Sequence, residues 1–245
     1  MSAGSERPLS AVPGWIACLL AAALAAQIAW QFAQRRGAPS AADLPAAPSA
    51  QALRLASLGE TAALARLAML WLQAFDLRGD NRIPYQQLDY GRLVAWLAAI
   101  QAVDPRSGYP LFAAARVYGE NPDAQKARRM FDFIEAEFAR DPNRRWPPLA
   151  HAALLAKHRL KDLPLARRYA AAIERQTTDP TIPDWARQME IFILDEMNEL
   201  EAARIMLGGL LATGRIRDPD ERRFLQGRLQ ELEERIKKQA PGKSR

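Results

Sequence analysis

Four Asp-Pro pairs recur along the C-terminal part of the chain at nearly even intervals of 37, 38 and 39 residues: Asp104-Pro105, Asp141-Pro142, Asp179-Pro180 and Asp218-Pro219. Proline disfavours α geometry in the residue before it, but it is tolerated in the first turn of a following helix. Each pair therefore ends one helix and begins the next segment. An aromatic residue follows each pair at a similar distance: Tyr109, Trp146, Trp185 and Phe224. Even spacing of this kind indicates a stack of helical hairpins.

The residues between these breaks predict an all-α fold. Ala, Leu and Arg outnumber β-branched residues, and apolar residues recur at helical spacing. We expect a helical hairpin near 57–76 and 88–102, followed by three more with helices near 109–119 and up to 140, 146–160 and 163–176, and 183–197 and 199–213. A last helix near 219–238 has one apolar and one charged face, as a terminal cap requires. The prediction is an α-solenoid of about four helical hairpins plus a C-terminal capping helix, preceded by one transmembrane helix.

One repeat carries a family resemblance. The segment WPPLAHAALLAKHRLKDLPLARRYAAAIERQTTDP has a small residue early in its second helix (Ala166), an aromatic after it (Tyr169) and a terminal Asp-Pro. Ala127 and Ala203 occupy the matching small positions in neighbouring units. These features resemble the tetratricopeptide repeat (TPR) over roughly 105–220, although the family's unit has 34 residues. The resemblance implies a protein-interaction scaffold with a concave groove lined by the first helices.

The N-terminal segment predicts a membrane anchor. Residues 12–33 carry no charge, and about 20 residues of helix are needed to cross a bilayer core. Trp15 and Trp30 lie near the two ends, where interfacial aromatics belong, and Arg35-Arg36 closes the run. We predict one transmembrane helix that contacts the lipid bilayer through residues 12–34. A cleaved signal peptide, with Ile16–Ala26 as its apolar region, is the alternative.

The same reading divides the chain into four parts. They are an N-terminal tail and transmembrane helix (1–36), an Ala/Pro-rich linker (37–56), a TPR-like repeat domain (57–238) and a disordered tail (239–245). The Arg- and Ala-rich, Lys-poor composition indicates a bacterial protein. The charges flanking the span nearly cancel. We expect a single-pass inner-membrane protein with its soluble domain in the periplasm; the cytoplasmic orientation is the alternative.

Charge and missing motifs argue against several classes of protein. Beyond residue 50 the chain has 31 basic and 26 acidic residues, an excess too mild for a nucleic-acid binder. Cys18 is the only cysteine, so neither an internal disulfide nor a cysteine metal site is expected. The sequence has no phosphate-binding loop, G-x-S-x-G elbow, H-E-x-x-H motif or dinucleotide fingerprint. We expect no enzyme activity, cofactor or metal, and no small-molecule substrate.

Five residues are candidates for partner binding. Arg128, Arg167 and Arg204 follow the small residue of each second helix, so they predict a basic stripe for an acidic partner. The alternative is a solvated surface with local acidic neighbours. His151 and His158 are seven residues apart on one helix, and they indicate a pH-sensitive contact, a metal pair or structural histidines. A separate acidic cluster is typical of a wet helix surface: Glu190, Asp195, Glu196, Glu199 and Glu201.

Together these features favour a membrane-anchored adaptor. Stacked hairpins present an extended surface that captures a segment of another protein, and the anchor restricts the encounter to the membrane plane. We expect a role in assembling a bacterial envelope complex, with protein partners in or at the membrane. The alternative is a structural accessory subunit whose transmembrane helix packs into an integral membrane complex, with Gln27 and Gln31 as interhelical hydrogen-bonding groups.

Overall fold

The computed structural model describes residues 14–33, 44–77, 84–214, 216 and 218–239. Within these ranges every regular element is a helix and no strand occurs, which confirms the all-α prediction. The chain forms two compact units, one up to residue 40 and one from residue 41 onward. Most of the predicted N-terminal tail, much of the predicted linker and the last six residues lie outside the described ranges.

The first unit contains α1, which runs from Gly14 to Ala33 without a charged residue. No helix within the described ranges is, by itself, both long and apolar enough to mark a clear transmembrane span, and the apolar section Cys18–Trp30 of α1 is short by that measure. Residues 12, 13 and 34 of the predicted span lie outside the described ranges. The membrane anchor therefore stays a prediction.

The second unit contains ten α-helices among the described residues. They are α2 (Ala50–Ala56), α3 (Thr61–Gln73), α4 (Tyr90–Val103), α5 (Tyr109–Arg116), α6 (Ala124–Phe138), α7 (Pro142–His158), α8 (Leu163–Gln176), α9 (Asp184–Glu196), α10 (Leu200–Ala212) and α11 (Pro219–Gln239). Three short 3-10 turns lie at 74–77, 85–87 and 118–120. The helices α2 and α3 together reach the length and composition of a membrane span, but a bend of 113° separates them.

Helices that follow each other in the chain pack against each other. The pairs α3/α4, α5/α6, α7/α8 and α9/α10 are the four predicted hairpins, and α11 packs on α10 as the predicted terminal helix. All four Asp-Pro steps break the helices, and α7 and α11 each begin at the proline itself. Proline is accommodated there because the first-turn N–H would have no helical acceptor.

The interior of the second unit is formed by two apolar clusters. The larger runs from Leu44 to Ile193, and the smaller joins α9, α10 and α11 through residues such as Leu207 and Leu225. The small residues that carry the repeat resemblance are buried at helix contacts: Ala127, Ala166 and Ala203. Alanine at these positions lets neighbouring helices approach closely.

The structure differs from the prediction at the start of this unit. Residues 37–56 are predicted to be a linker with no face to bury, yet Leu44 is fully buried and α2 lies within that range. Arg92 donates a hydrogen bond of 2.5 Å to the carbonyl of Leu44, and Trp96 donates one of 2.9 Å to the carbonyl of Pro45. Leu44, two backbone acceptors and α2 itself thus attach this segment to α4.

A second difference concerns α7, which is predicted to begin near residue 146 but begins at Pro142. Pro147 and Pro148 consequently lie inside the helix, where each lacks the N–H that would bond to the carbonyl four residues earlier. This first part of α7 carries Trp146 and forms one wall of the groove described next.

Candidate functional site

A depression with a mainly apolar lining lies in the second unit between α5, α7 and the beginning of α9. Its volume is about 620 Å³. We call it the α5–α9 groove. These are the first helices of three successive hairpins, so the groove occupies the face on which the repeat resemblance places a binding surface. Its apolar lining includes Phe112, Trp146, Pro147, Pro148, Leu154 and Trp185.

Large apolar side chains in this groove are open to solvent. Phe112 is 55% exposed, Trp185 is 51% exposed and Leu154 is 42% exposed. Trp146 and Trp185 meet edge to face with their ring centroids 5.5 Å apart, so each ring holds the other in place. A cluster of exposed aromatic and aliphatic side chains in a concave surface is typical of a binding site.

A buried ion pair supports the groove from below. Arg145 donates to the Glu137 carboxylate at 2.5 Å and to the Glu137 carbonyl at 2.9 Å, and both side chains are almost fully buried. A further hydrogen bond of 3.0 Å joins Arg145 to the carbonyl of Pro105. The guanidinium thereby ties α6, α7 and the α4–α5 turn together, and it fixes the wall that carries Trp146.

Arginines flank the apolar lining. Arg106 and Arg116 are exposed, and neither side chain forms a salt bridge with any described residue. Arg144 lies 3.8 Å from Asp141 and donates a hydrogen bond of 3.0 Å to the carbonyl of Arg106. Two uncompensated positive charges at an apolar groove favour a ligand that carries carboxylates.

His151 also lines this groove, whereas His158 lies exposed at the end of α7. The His151 Nε2 atom is buried without a hydrogen bond, and it lies 3.7 Å from the nearest Glu120 carboxylate oxygen. Burial lowers the pKa of His151, and the nearby Arg116 lowers it further, so the ring is neutral at pH 7. In the described ranges no three potential metal-ligating residues lie together, and the two histidines do not form one site.

The three arginines of the predicted basic stripe are each paired with a carboxylate. Arg128 on α6 contacts Asp162 at the α7–α8 turn, and Arg167 on α8 lies 3.1 Å from Glu190 on α9. Arg204 lies 2.9 Å from Glu201 on its own helix. Two of these pairs join successive hairpins. The arrangement matches the alternative interpretation of these residues, a surface with local acidic neighbours.

The Asp162 carboxylate also makes a capping interaction at the same turn. It accepts a hydrogen bond of 3.0 Å from the backbone N–H of Leu165 and thereby caps α8. This backbone hydrogen bond lowers the pKa of Asp162, and the hydrogen bond from Arg128 adds to the effect. The ion pair between hairpins is therefore formed by a carboxylate that stays charged at neutral pH.

Two of the five residues of the acidic cluster differ from the predicted solvent-exposed surface, whereas Glu196, Glu199 and Glu201 are exposed as predicted. Glu190 and Asp195 are each only 5% exposed. Glu190 pairs with Arg167, whereas Asp195 accepts hydrogen bonds from Arg228 and Arg235 of α11. These carboxylates hold neighbouring helices together instead of facing solvent.

Only some of the residues that line the groove could be predicted from the sequence. Trp146 and Trp185 stand at the aromatic position that follows each Asp-Pro step, and that recurrence is the signal that marks them. Tyr109, at the same repeat position, lines a neighbouring depression of about 630 Å³ with Arg66 and Arg106. Phe112 and Leu154 have no such signal, because helical periodicity alone does not separate an exposed apolar residue from a buried one.

Comparison of the chain with models of protein families, with curated proteins and with solved structures finds no match.

Proposed function

We propose that this protein is a membrane-anchored, TPR-like adaptor whose α5–α9 groove captures a segment of a protein partner during assembly of a bacterial envelope complex. The observation that carries the proposal is the solvent-open apolar lining of the groove beside arginines without carboxylate partners. A protein that only braced a complex through its anchor would have no use for such a surface on its repeat domain.

The groove favours a segment with bulky apolar anchors. Phe112, Leu154 and Trp185 keep about half of their surface in water, and a ligand side chain between them would remove that surface from solvent. Burying one large apolar side chain contributes roughly 1.5–3 kcal/mol. Tryptophan is also enriched among the residues that dominate binding energy at protein interfaces.

The flanking charges favour acidic residues beside those anchors. Arg106 and Arg116 are exposed at the rim, where electrostatic interactions mainly increase the association rate and select the partner. His151 is neutral at pH 7 and therefore adds no charge to that of these arginines. The proposed ligand is therefore an acidic segment with aromatic or aliphatic anchors.

The membrane part of the proposal rests on α1, a helix of 20 residues without charge. One crossing of the inner membrane by this helix would confine the repeat domain to the membrane plane and raise its effective concentration toward membrane partners. We place the domain in the periplasm, with the cytoplasm as the alternative. Accessibility of a single cysteine introduced at residue 40 or 245, in a variant that lacks Cys18, distinguishes the two.

Photo-crosslinking in cells tests the groove. A photoreactive amino acid replaces Phe112 in the groove or, as a matched control, Ile205, an exposed apolar residue of α10 that is 64% exposed. We expect one or a few partners to crosslink at position 112 and not at position 205. Crosslinking that is equal at both positions would contradict a specific groove.

The affinity of the captured segment then tests the mechanism. We expect Trp185→Ala to weaken binding by about 2 kcal/mol, or roughly thirtyfold, because this ring is half of the aromatic pair in the groove. Phe224→Ala is the matched control, since Phe224 has the corresponding repeat position and is 61% exposed, but it lies on α11. Equal effects of the two substitutions would argue against the groove.

The accessory-subunit function remains a second candidate because the uncharged helix α1 contains two glutamines, of which Gln27 is exposed. A side-chain amide in a membrane span favours hydrogen bonds to another span. Replacing Gln27 and Gln31 by Leu separates the two functions. Loss of a complex with intact groove binding would support the accessory subunit, whereas retention of the complex supports the adaptor.

A further inference from the structure

Among the described residues of the second unit, the most exposed large apolar side chains lie where α2 meets α3. Leu55, on α2, is 75% exposed, and Leu58, in the turn, is 93% exposed. We call these two residues the α2–α3 corner. Ser57 lies between them and is buried, and it donates a hydrogen bond of 2.6 Å to the carbonyl of Arg54. The buried serine anchors the turn, so that the two leucines project from it.

The backbone of Leu58 makes this exposure unusual. Its φ is +50°, in the left-handed region that favours glycine, asparagine and aspartate. The other two non-glycine residues with positive φ in the described ranges are Lys161 and Asn198, both polar residues in tight turns between helices. Only at the α2–α3 corner does a strained turn present a leucine to solvent. Hydrogen bonds within the turn, from the N–H of Leu58 to the carbonyl of Leu55 and from the N–H of Glu60 to the carbonyl of Ser57, hold the backbone, but the Leu58 side chain has almost no contact of its own. A strained residue whose apolar side chain faces solvent points to an external contact.

The corner lies at the end of the domain from which the chain continues toward α1. Leu44, Pro45 and α2 all pack on α4 of the first hairpin. Ten residues separate Leu44 from Ala33, the last residue of α1. Even fully extended, this connection spans at most roughly 40 Å, at about 3.5 Å per residue. A domain anchored through α1 therefore keeps Leu44 within about 40 Å of the end of that helix.

We propose that the α2–α3 corner inserts into the interfacial layer of the bilayer that the proposed anchor crosses. The inference rests on the anchoring part of the proposed function, but it concerns a different surface from the groove. The sequence from α2 through α3 is apolar enough to reach the composition of a membrane segment, although the bend makes it a corner and not a straight span. Apolar side chains of this kind bury themselves at the boundary between headgroups and acyl chains.

A bilayer suits the corner better than a protein partner does. A stable protein interface buries about 800 Å² on each partner, far more than two leucine side chains provide. A tethered contact with lipid needs much less area, because the anchor already supplies a high effective concentration. Burial of two leucines then suffices to hold the end of the domain at the membrane.

The contact would also fix the orientation of the groove. A repeat domain attached to the membrane at one point could adopt many orientations relative to it. A second point of attachment at the corner would restrict these orientations, so that the groove faces partners from one side.

The test uses the full-length chain with Cys18→Ser, reconstituted in vesicles of phosphatidylethanolamine and phosphatidylglycerol. An environment-sensitive NBD label is attached to Leu58→Cys or, as the matched control, to Ile205→Cys on α10. Flotation of the vesicles first reports whether the chain is anchored. We expect a blue-shifted emission, quenched by lipids with brominated acyl chains, at position 58 and an aqueous emission at position 205.

A second substitution separates contact from folding. Leu55 is labelled through Leu55→Cys, and Leu58→Asn is added in the same chain. Asparagine tolerates the left-handed turn, so the domain keeps its fold. Loss of one inserted leucine should lower the equilibrium constant for insertion of the α2–α3 corner about tenfold. The label at position 55 should then return toward an aqueous emission, whereas Ile205→Asn should leave it unchanged.

The outcomes distinguish insertion of the α2–α3 corner from anchoring of the chain through α1. Chains that float and show an aqueous label at position 58 would overturn the inference and leave the anchor intact. A blue shift that disappears on dilution of the protein in excess lipid would also overturn it, in favour of contact between two copies. Chains that do not float would contradict the anchoring and the inference together.

Discussion

The two ends of the repeat domain are built from opposite kinds of residue. The stretch from α2 through α3 has only three charged side chains, Arg54, Glu60 and Arg66, whereas α11 has eleven in a helix of similar length. A helical-repeat domain needs a wet outer face at each free end. The C-terminal end has such a charged face, whereas the residues at the N-terminal end are mostly apolar.

The two ends are also attached by different interactions. At the C-terminal end, Arg228 and Arg235 of α11 donate to the buried Asp195, and Gln188 bonds to Glu221 at 2.9 Å. At the N-terminal end, side chains of α4 and α2 donate to backbone carbonyls, as in the 2.8 Å bond from Arg54 to Ala102. One end depends on carboxylates and the other does not, so substitutions should affect the two ends separately.

The largest effect should come from Asp195→Ala. This substitution leaves two arginines of α11 without their buried acceptor, and we expect it to lower the free energy of unfolding by about 2–3 kcal/mol. Because each repeat is stabilised mainly by its neighbours, hydrogen exchange should accelerate in α11 and α10 and stay unchanged in α3 and α4. Hydrogen exchange that accelerates equally at both ends would contradict the idea that the two ends are stabilised separately.

The matched control for this variant is Arg223→Ala. Arg223 pairs with Asp220 on the outer face of α11, where both side chains are mostly exposed. We expect a change within about 0.5 kcal/mol, since exposed ion pairs contribute little.

At the other end, Leu58→Asn should increase stability in detergent solution. Relief of the left-handed leucine should raise the free energy of unfolding by about 1 kcal/mol, measured by thermal unfolding. Gly59→Ala, in the same turn at φ +97°, should act in the opposite direction by a similar amount. If Leu58→Asn destabilises the domain, the leucine has an internal role and the N-terminal end is not strained.

The architecture could be predicted because its signals are local. Each Asp-Pro step acts through the geometry of one peptide unit, and the structure breaks its helices at all four. Gly214, two residues after the end of α10, has a φ of +66°, which favours glycine after a helix. Short-range chemistry of this kind depends little on tertiary context.

The surfaces could not be predicted because they depend on what packs against them. Glu190 and Asp195 resemble solvent-exposed residues of a helix until α8 and α11 place arginines against them. Leu44 lies in an Ala/Pro-rich segment, and only its contact with α4 makes it part of the core. Likewise, Phe112 is one more apolar helical residue until the arrangement of α5 and α7 leaves it open to solvent.

The smallest expected effect is a pH dependence confined to the middle of the domain. Both histidines of the chain are on α7, and burial lowers the pKa of His151 below 6.5. As the pH falls, the unfolded chain therefore takes up a proton at His151 before the folded chain does. The contribution of His151 to the free energy of unfolding is complete above about pH 6.5 and declines as the pH falls below it.

His151→Gln should flatten this decline in a series of thermal unfolding curves, and His158→Gln, at an exposed site, should not. The effects of Asp195→Ala and Leu58→Asn should stay constant over the same range, because both histidines of the chain lie on α7 and neither lies at an end of the domain. A decline that persists in His151→Gln would place the titrating group elsewhere and remove this distinction between the middle and the ends.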